Sequence, residues 1–136
     1  MTAVLRFLAA GFAIGLGLAG CSGSPQSEGR TTPQATALTE VADLLRATTG
    51  PGGRGPARLA DLARLEPQYP RGYQAVKSGE IVVVWGAPMA GEGETGTDAV
   101  IAYEKKVPTD GGLVLLHNGT VKEMSADAFK SAPKAK

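Results

Sequence analysis

The sequence predicts an α+β domain: two N-terminal helices packed on an antiparallel sheet of about four strands. Three observations lead there. Apolar residues recur at helical spacing in two segments of the first half. Short runs rich in β-branched residues fill the second half. The last two of these runs are joined by Asn118-Gly119, a pair suited to a tight hairpin turn.

In the first helical segment Leu38, Val41, Leu44 and Leu45 share a face, Thr39 is a candidate N-cap, and Gly50-Pro51-Gly52-Gly53 ends the helix. The second is expected to start near Pro56. Leu59, Leu62 and Leu65, with Ala63, form its apolar stripe, Asp61 and Arg64 lie away from it, and Pro67 stops it. Ile81–Trp85 (IVVVW) is apolar throughout, which predicts a strand covered on both faces. Ala99–Glu104 is a second strand. Leu113–Leu116 and Thr120–Met124 flank Asn118-Gly119. A two-residue type I′ turn there pairs His117 with Thr120, Leu116 with Val121 and Leu113 with Met124. The apolar–polar alternation from Val121 marks the last strand as a sheet edge.

A length of 136 residues accommodates one small domain. Lys and Arg number 14 against 13 Asp and Glu, so no basic field exists to attract nucleic acid. The stretch Ser22–Thr36 is rich in Ser, Gly, Pro, Gln and Thr and has no large apolar residue. Residues 21–36 therefore read as a flexible tether spanning roughly 20 Å. Residues 37–130 read as the folded domain, and 131–136 (SAPKAK) as a disordered tail.

Residues 1–20 have the layout of an export signal. One positive charge, Arg6, precedes the uncharged apolar run Phe7–Leu18, twelve residues long. About 20 are needed to span a bilayer as a helix, so the run fits a signal-peptide core instead. Leu18-Ala19-Gly20-Cys21 follows, and Cys21 is the single cysteine of the chain. These four residues resemble the lipobox of bacterial lipoproteins. The resemblance implies that Leu18, Ala19 and Gly20 are read by the signal peptidase, the small pair leaving access to the bond before Cys21. It also implies that the Cys21 thiol receives diacylglycerol and that its freed amine is acylated, for instance with palmitate. Two or three chains would hold the protein at a membrane, where one chain binds only marginally. Ser22, by resemblance to lipoprotein sorting in which Asp at this position causes retention, permits transfer to an outer membrane.

Candidate chemistry beyond the anchor is sparse. Gly91-Glu92-Gly93-Glu94-Thr95-Gly96 matches G-x-G-x-x-G, yet a strand and not a helix is expected next, and the two Glu residues would repel phosphate. His117 is the only histidine, with Ser125 and Asp127 near it in sequence as conceivable triad partners and Asp110 and Glu123 as conceivable metal co-ligands. Neither a cofactor nor a metal motif is evident. Asn118-Gly119-Thr120 fits a glycosylation sequon, but turn chemistry accounts for the same residues. Arg54, Arg58, Arg64 and Arg71 make a modest basic cluster interleaved with Asp61 and Glu66; a solvated face is expected, and weak contact with anionic headgroups or glycan is the alternative. The expectation is a lipid-anchored, non-catalytic module that contacts an envelope protein or a glycan. The alternative is a small hydrolase-like envelope enzyme using His117.

Tyr103-Glu104, then Gly111-Gly112, the apolar strand Leu113–Leu116 and the turn Asn118-Gly119-Thr120-Val121 together resemble the C-terminal hairpin of type II secretion prepilin-like proteins. That resemblance implies a shared hairpin fragment and an accessory role near a secretion pseudopilus tip. The motif's His and Asp fall at Pro108 and Asn118 here, and the prepilin methylation helix is replaced by the lipobox signal.

Overall fold

The computed structural model describes residues 32–91 and 94–136. The signal, the lipobox and most of the expected tether lie outside that range. Helix α1 runs Pro33–Thr48, and its cap is Thr32, whose Oγ1 accepts the Ala35 N–H at 3.1 Å. Thr39, expected as the cap, lies inside the helix and donates its hydroxyl to the Ala35 carbonyl at 2.9 Å. The cap thus lies seven residues earlier than expected, and residues 33–36 are helical, not tether. The first turn is exposed or half-buried, so no apolar spacing announces it. Leu38, Val41, Ala42 and Leu45 face the sheet, while Leu44 turns to a second cluster with Leu62 and Tyr73.

The second expected helix is a 3-10 segment, Leu59–Leu65. Its stripe at 59, 62 and 65 repeats every three residues, a spacing that a 3-10 helix lines up on one edge. The Asp61 carboxylate accepts the Ala57 and Arg58 N–H groups and closes its start. The helix that pairs with α1 is one that the sequence reading omits: α2, Pro70–Ser78. Pro70 stands at its first turn and Gly79, at φ +79, terminates it, a bracket that was there to be read. Gly72 lets α2 approach α1. A Cβ there would sit 2.7 Å from the Glu40 Cβ and 2.9 Å from the Val41 nitrogen. The Gly72 N–H donates to the Glu40 carboxylate at 2.8 Å.

Four antiparallel strands follow in the order β1-β2-β3-β4: Ile81–Val83, Val100–Glu104, Gly112–Leu116 and Val121–Met124. The α+β class is therefore as the sequence predicts. Strand β1, expected to be covered on both faces, is a three-residue edge strand; Ile81 and Val83 are buried, Val82 is half-buried, and Trp85 beyond it is 39% exposed. The central strands are the ones covered on both faces: Val100, Ile101 and Ala102 of β2 and Val114, Leu115 and Leu116 of β3 are all buried. As expected, β4 is an edge.

The hairpin register differs by one residue from the type I′ pairing. Leu115 faces Val121, Leu113 faces Glu123, and Gly112 faces Met124. The Gly119 N–H donates to the Leu116 carbonyl and the Leu116 N–H to the Thr120 carbonyl, both at 2.9 Å, so the loop is the three residues His117-Asn118-Gly119. This is a tight turn closed by a G1 bulge, with Gly119 at φ +89. Asn118 assists, its Oδ1 accepting the Thr120 N–H at 2.9 Å. Gly119→Val should cost at least about 1 kcal/mol, because a β-branched residue is strained at positive φ. Thermal melts of the two proteins check this, and equal midpoints would remove the bulge assignment.

The far face of the sheet is also covered. Val100, Val114 and Leu116 meet Val107 of the short helix α3 (Val107–Asp110) and Phe129 of α4 (Ala126–Ser131). Neither helix is long enough to show periodicity, so neither is legible in the sequence. The expected disordered tail is likewise docked. Val100 donates to the Pro133 carbonyl at 2.8 Å and accepts from the Ala135 N–H at 2.9 Å. Lys134 Nζ donates to the Phe129 and Ala132 carbonyls and lies 4.1 Å above the Phe129 ring. The folded unit thus extends over 32–136, beyond the 37–130 expected. Deleting residues 132–136 should cost about 2 kcal/mol, since two backbone bonds and the lysine contact go. An unchanged melting midpoint would show the tail to be a passive extension.

Candidate functional site

The candidate His117 sits where the hairpin turn meets the end of α1 and the segment leading from β1 to β2. Strand β3 sets its position: its N–H donates to the Ala99 carbonyl at 2.8 Å, and its carbonyl accepts the Ala90 N–H at 3.2 Å. Its ring is engaged as well, since Nδ1 accepts the Thr97 N–H at 3.0 Å. The residue expected at a solvated strand end is half-buried.

Around it lies a cleft of about 370 Å³ bordered by Arg46, Thr49, Met89, Glu94 and His117. Arg46 pairs with Asp43 at 3.0 Å and donates Nε to the Ala90 carbonyl at 3.3 Å. The Thr49 hydroxyl donates to Leu45 and accepts the Met89 N–H. The Glu94 carboxylate accepts the Gly91 N–H at 2.8 Å. These side chains fasten the segment after β1 to α1 and the turn. The chemistry available to His117 follows. A backbone N–H can only donate, so Nδ1 carries the lone pair and the neutral ring carries its proton on Nε2. A general base needs a free lone pair within reach of the proton it takes. The lone pair of this imidazole already holds Thr97.

The conceivable partners of His117 are elsewhere. Ser125 is the N-cap of α4, its Oγ accepting the Ala128 N–H at 3.2 Å, and Asp127 pairs with Lys130 at 3.5 Å. Met124, beside Ser125, pairs with Gly112 at the opposite end of β3 from His117. Asp110 and Glu123 border a separate groove at that far end, next to Lys106 and Ser125. Among the described residues no group of three or more His, Cys, Asp or Glu could hold a metal ion. In the Gly-rich stretch, Glu92 and Gly93 lie outside the described residues; after residues 94–99 the chain enters strand β2, not a helix N-terminus. The sequon residues build the hairpin turn, and the Asn118 amide donates to Asp98 at 3.1 Å.

The arginine cluster is dispersed. Arg58 turns to Asp61 at 3.5 Å, Arg54 stays in the loop bridged to Gly50, and Arg64 is exposed on the 3-10 segment. Arg71 instead joins Lys105 and Lys106 at a groove of about 720 Å³ between the start of α1, α2 and the β1 end of the sheet. This grouping was missed, although Lys105-Lys106 directly after a strand was its signal. Glu104 borders the same groove; it is the one buried charged residue among the described residues, 8% exposed, and its Oε2 accepts the Leu113 N–H at 2.7 Å. It takes over a rung of the β2–β3 ladder that a backbone carbonyl would otherwise provide.

Leu18, Ala19, Gly20 and Cys21 lie outside the described residues, and no described helix is long and apolar enough to cross a membrane. Set against known protein families, curated proteins and solved structures, the chain matches none.

Proposed function

We propose that this chain is a lipid-anchored bacterial envelope protein whose folded part works by contact with a partner protein or glycan. The observation that carries the reading is the lone cysteine, placed after Leu18-Ala19-Gly20 at the end of an apolar run. Ten residues lie between Cys21 and the cap Thr32, so the domain is held within about 40 Å of the lipid even at full extension. The contact reading draws support from how the polar side chains are spent. His117, Ser125, Glu104 and Glu40 each hold a backbone N–H of the fold.

What the domain offers a partner is the β4 edge. Val114 and Lys122 form a hydrogen-bonded pair by alternation from Leu116 and Thr120, so the Val121 and Glu123 backbone groups point outward. Val121→Pro therefore removes an outward N–H and leaves the β3–β4 ladder intact. In a deletion strain complemented with tagged variants, cross-linking should capture a partner with the parent chain and with His117→Ala. It should fail with Val121→Pro. A folded His117→Ala chain that cannot complement would overturn the contact reading and promote the hydrolase alternative.

A further inference from the structure

The groove at the start of α1 lies where the segment carrying Cys21 joins the domain. Pro33 and Gln34 form one wall, and Arg71, Lys105 and Lys106 project around it. Lys77, in the last turn of α2, is not part of this wall; its ammonium lies 6.0 Å from the centre of the Tyr73 ring. The opposing charges lining it are Glu80, which is exposed, and Glu104, which is buried with its carboxylate on Leu113 and 3.8 Å from Lys106; Lys106 also borders the neighbouring groove of Asp110 and Glu123. The first turns of α1 and α2 contain no acidic residue. Removing residues 1–20 would leave thirteen basic and thirteen acidic side chains, so the three cations against two carboxylates lining this groove reflect placement and not composition.

We propose that this end of the domain docks on the anionic phospholipid headgroups of the membrane in which Cys21 is anchored; the proposal rests on the lipid-anchor reading. Charge complementarity and the point of attachment both select it. Surface cations feel a membrane only within a Debye length, about 8 Å at physiological salt. The link joins the domain at Thr32, beside the cations, so this end is the one that can come within that range with the least extension of the link. Each cation that close to an anionic leaflet raises occupancy about fivefold. The groove between them admits a headgroup phosphate, and the buried Glu104 keeps Lys106 at its rim.

The test uses the acylated full chain in vesicles of phosphatidylcholine alone and of phosphatidylcholine with phosphatidylglycerol. An amine-reactive reagent is applied, and modification of each lysine is followed by peptide mass. Lys105 and Lys106 should react at least about fivefold more slowly in the anionic vesicles. Lys122, on the opposite sheet edge, should react equally in both. High salt should abolish the difference, and Arg71→Gln should reduce it. Equal rates on an acylated protein would overturn the docking alone. So would protection by inorganic phosphate without anionic lipid, or protection in neutral vesicles that grows with protein density and marks a second copy as the occupant. Absence of the acyl mass on Cys21 would overturn the anchoring reading and the docking with it.

Discussion

Cys21→Ala should abolish incorporation of labelled fatty acid and leave a precursor that retains residues 1–20. The effect is expected to be all or none because the chain contains one thiol, and it is the residue replaced. Thioether formation needs a sulfur nucleophile, and processing of a lipobox follows acylation of that sulfur. Each buried methylene contributes about 0.8 kcal/mol of membrane affinity, so losing all chains removes the anchor and does not merely weaken it. The measurement is metabolic labelling with palmitate, with an intact-mass determination of the product. Cys21→Ser should behave like Cys21→Ala, since a hydroxyl has the size but not the nucleophilicity of the thiol. Label retained in either variant would end the lipoprotein reading.

Phe129→Ala should destabilise the domain by about 3–4 kcal/mol, the usual cost of emptying a buried phenylalanine site. Phe129 is 6% exposed and is the one fully buried side chain of α4. Its ring lies 4.6 Å from that of Tyr103 at 55°, a tilted aromatic pair, and carries Lys134 on its other contact. Truncation therefore uncovers the far face of the sheet at Val100, Val114 and Leu116 and loosens the docked tail as well. Small domains have stabilities of about 5–15 kcal/mol, so the loss is a large fraction of the total. The melting midpoint should fall by roughly 15 °C or more. Phe129→Leu, which keeps most of the volume, should cost much less. A midpoint within a few degrees of the parent in Phe129→Ala would mean that α4 is not part of the cooperative unit.

The sequence by itself determined the α+β class, the position of each strand to within two residues, and the edge character of β4. It also singled out Cys21 as the residue on which the proposed anchoring would turn. These are local properties: β-branched runs, turn glycines and a motif of four contiguous residues are visible without knowing what lies across the fold. Tertiary structure alone decided the rest. The 59, 62, 65 stripe suits both helical periods, and the choice of 3-10 went with packing of Leu62 against Leu44 and Tyr73. Helix α2 has few large apolar residues because Gly72 and Ala75 let it lie close to its neighbours, and close approach suppresses the pattern that reveals a helix. Helix α4 and the tail are too short to be stable alone and exist because Phe129 and the Val100 backbone give them a surface to complete. The same holds for the functional candidates. Proximity in sequence grouped His117 with Ser125 and Asp127, but an extended strand moves residues about 3.3 Å apart per position and so placed them at opposite ends of the hairpin. Arg71 and Lys105, thirty-four positions apart, became neighbours only when α2 folded beside the end of β2.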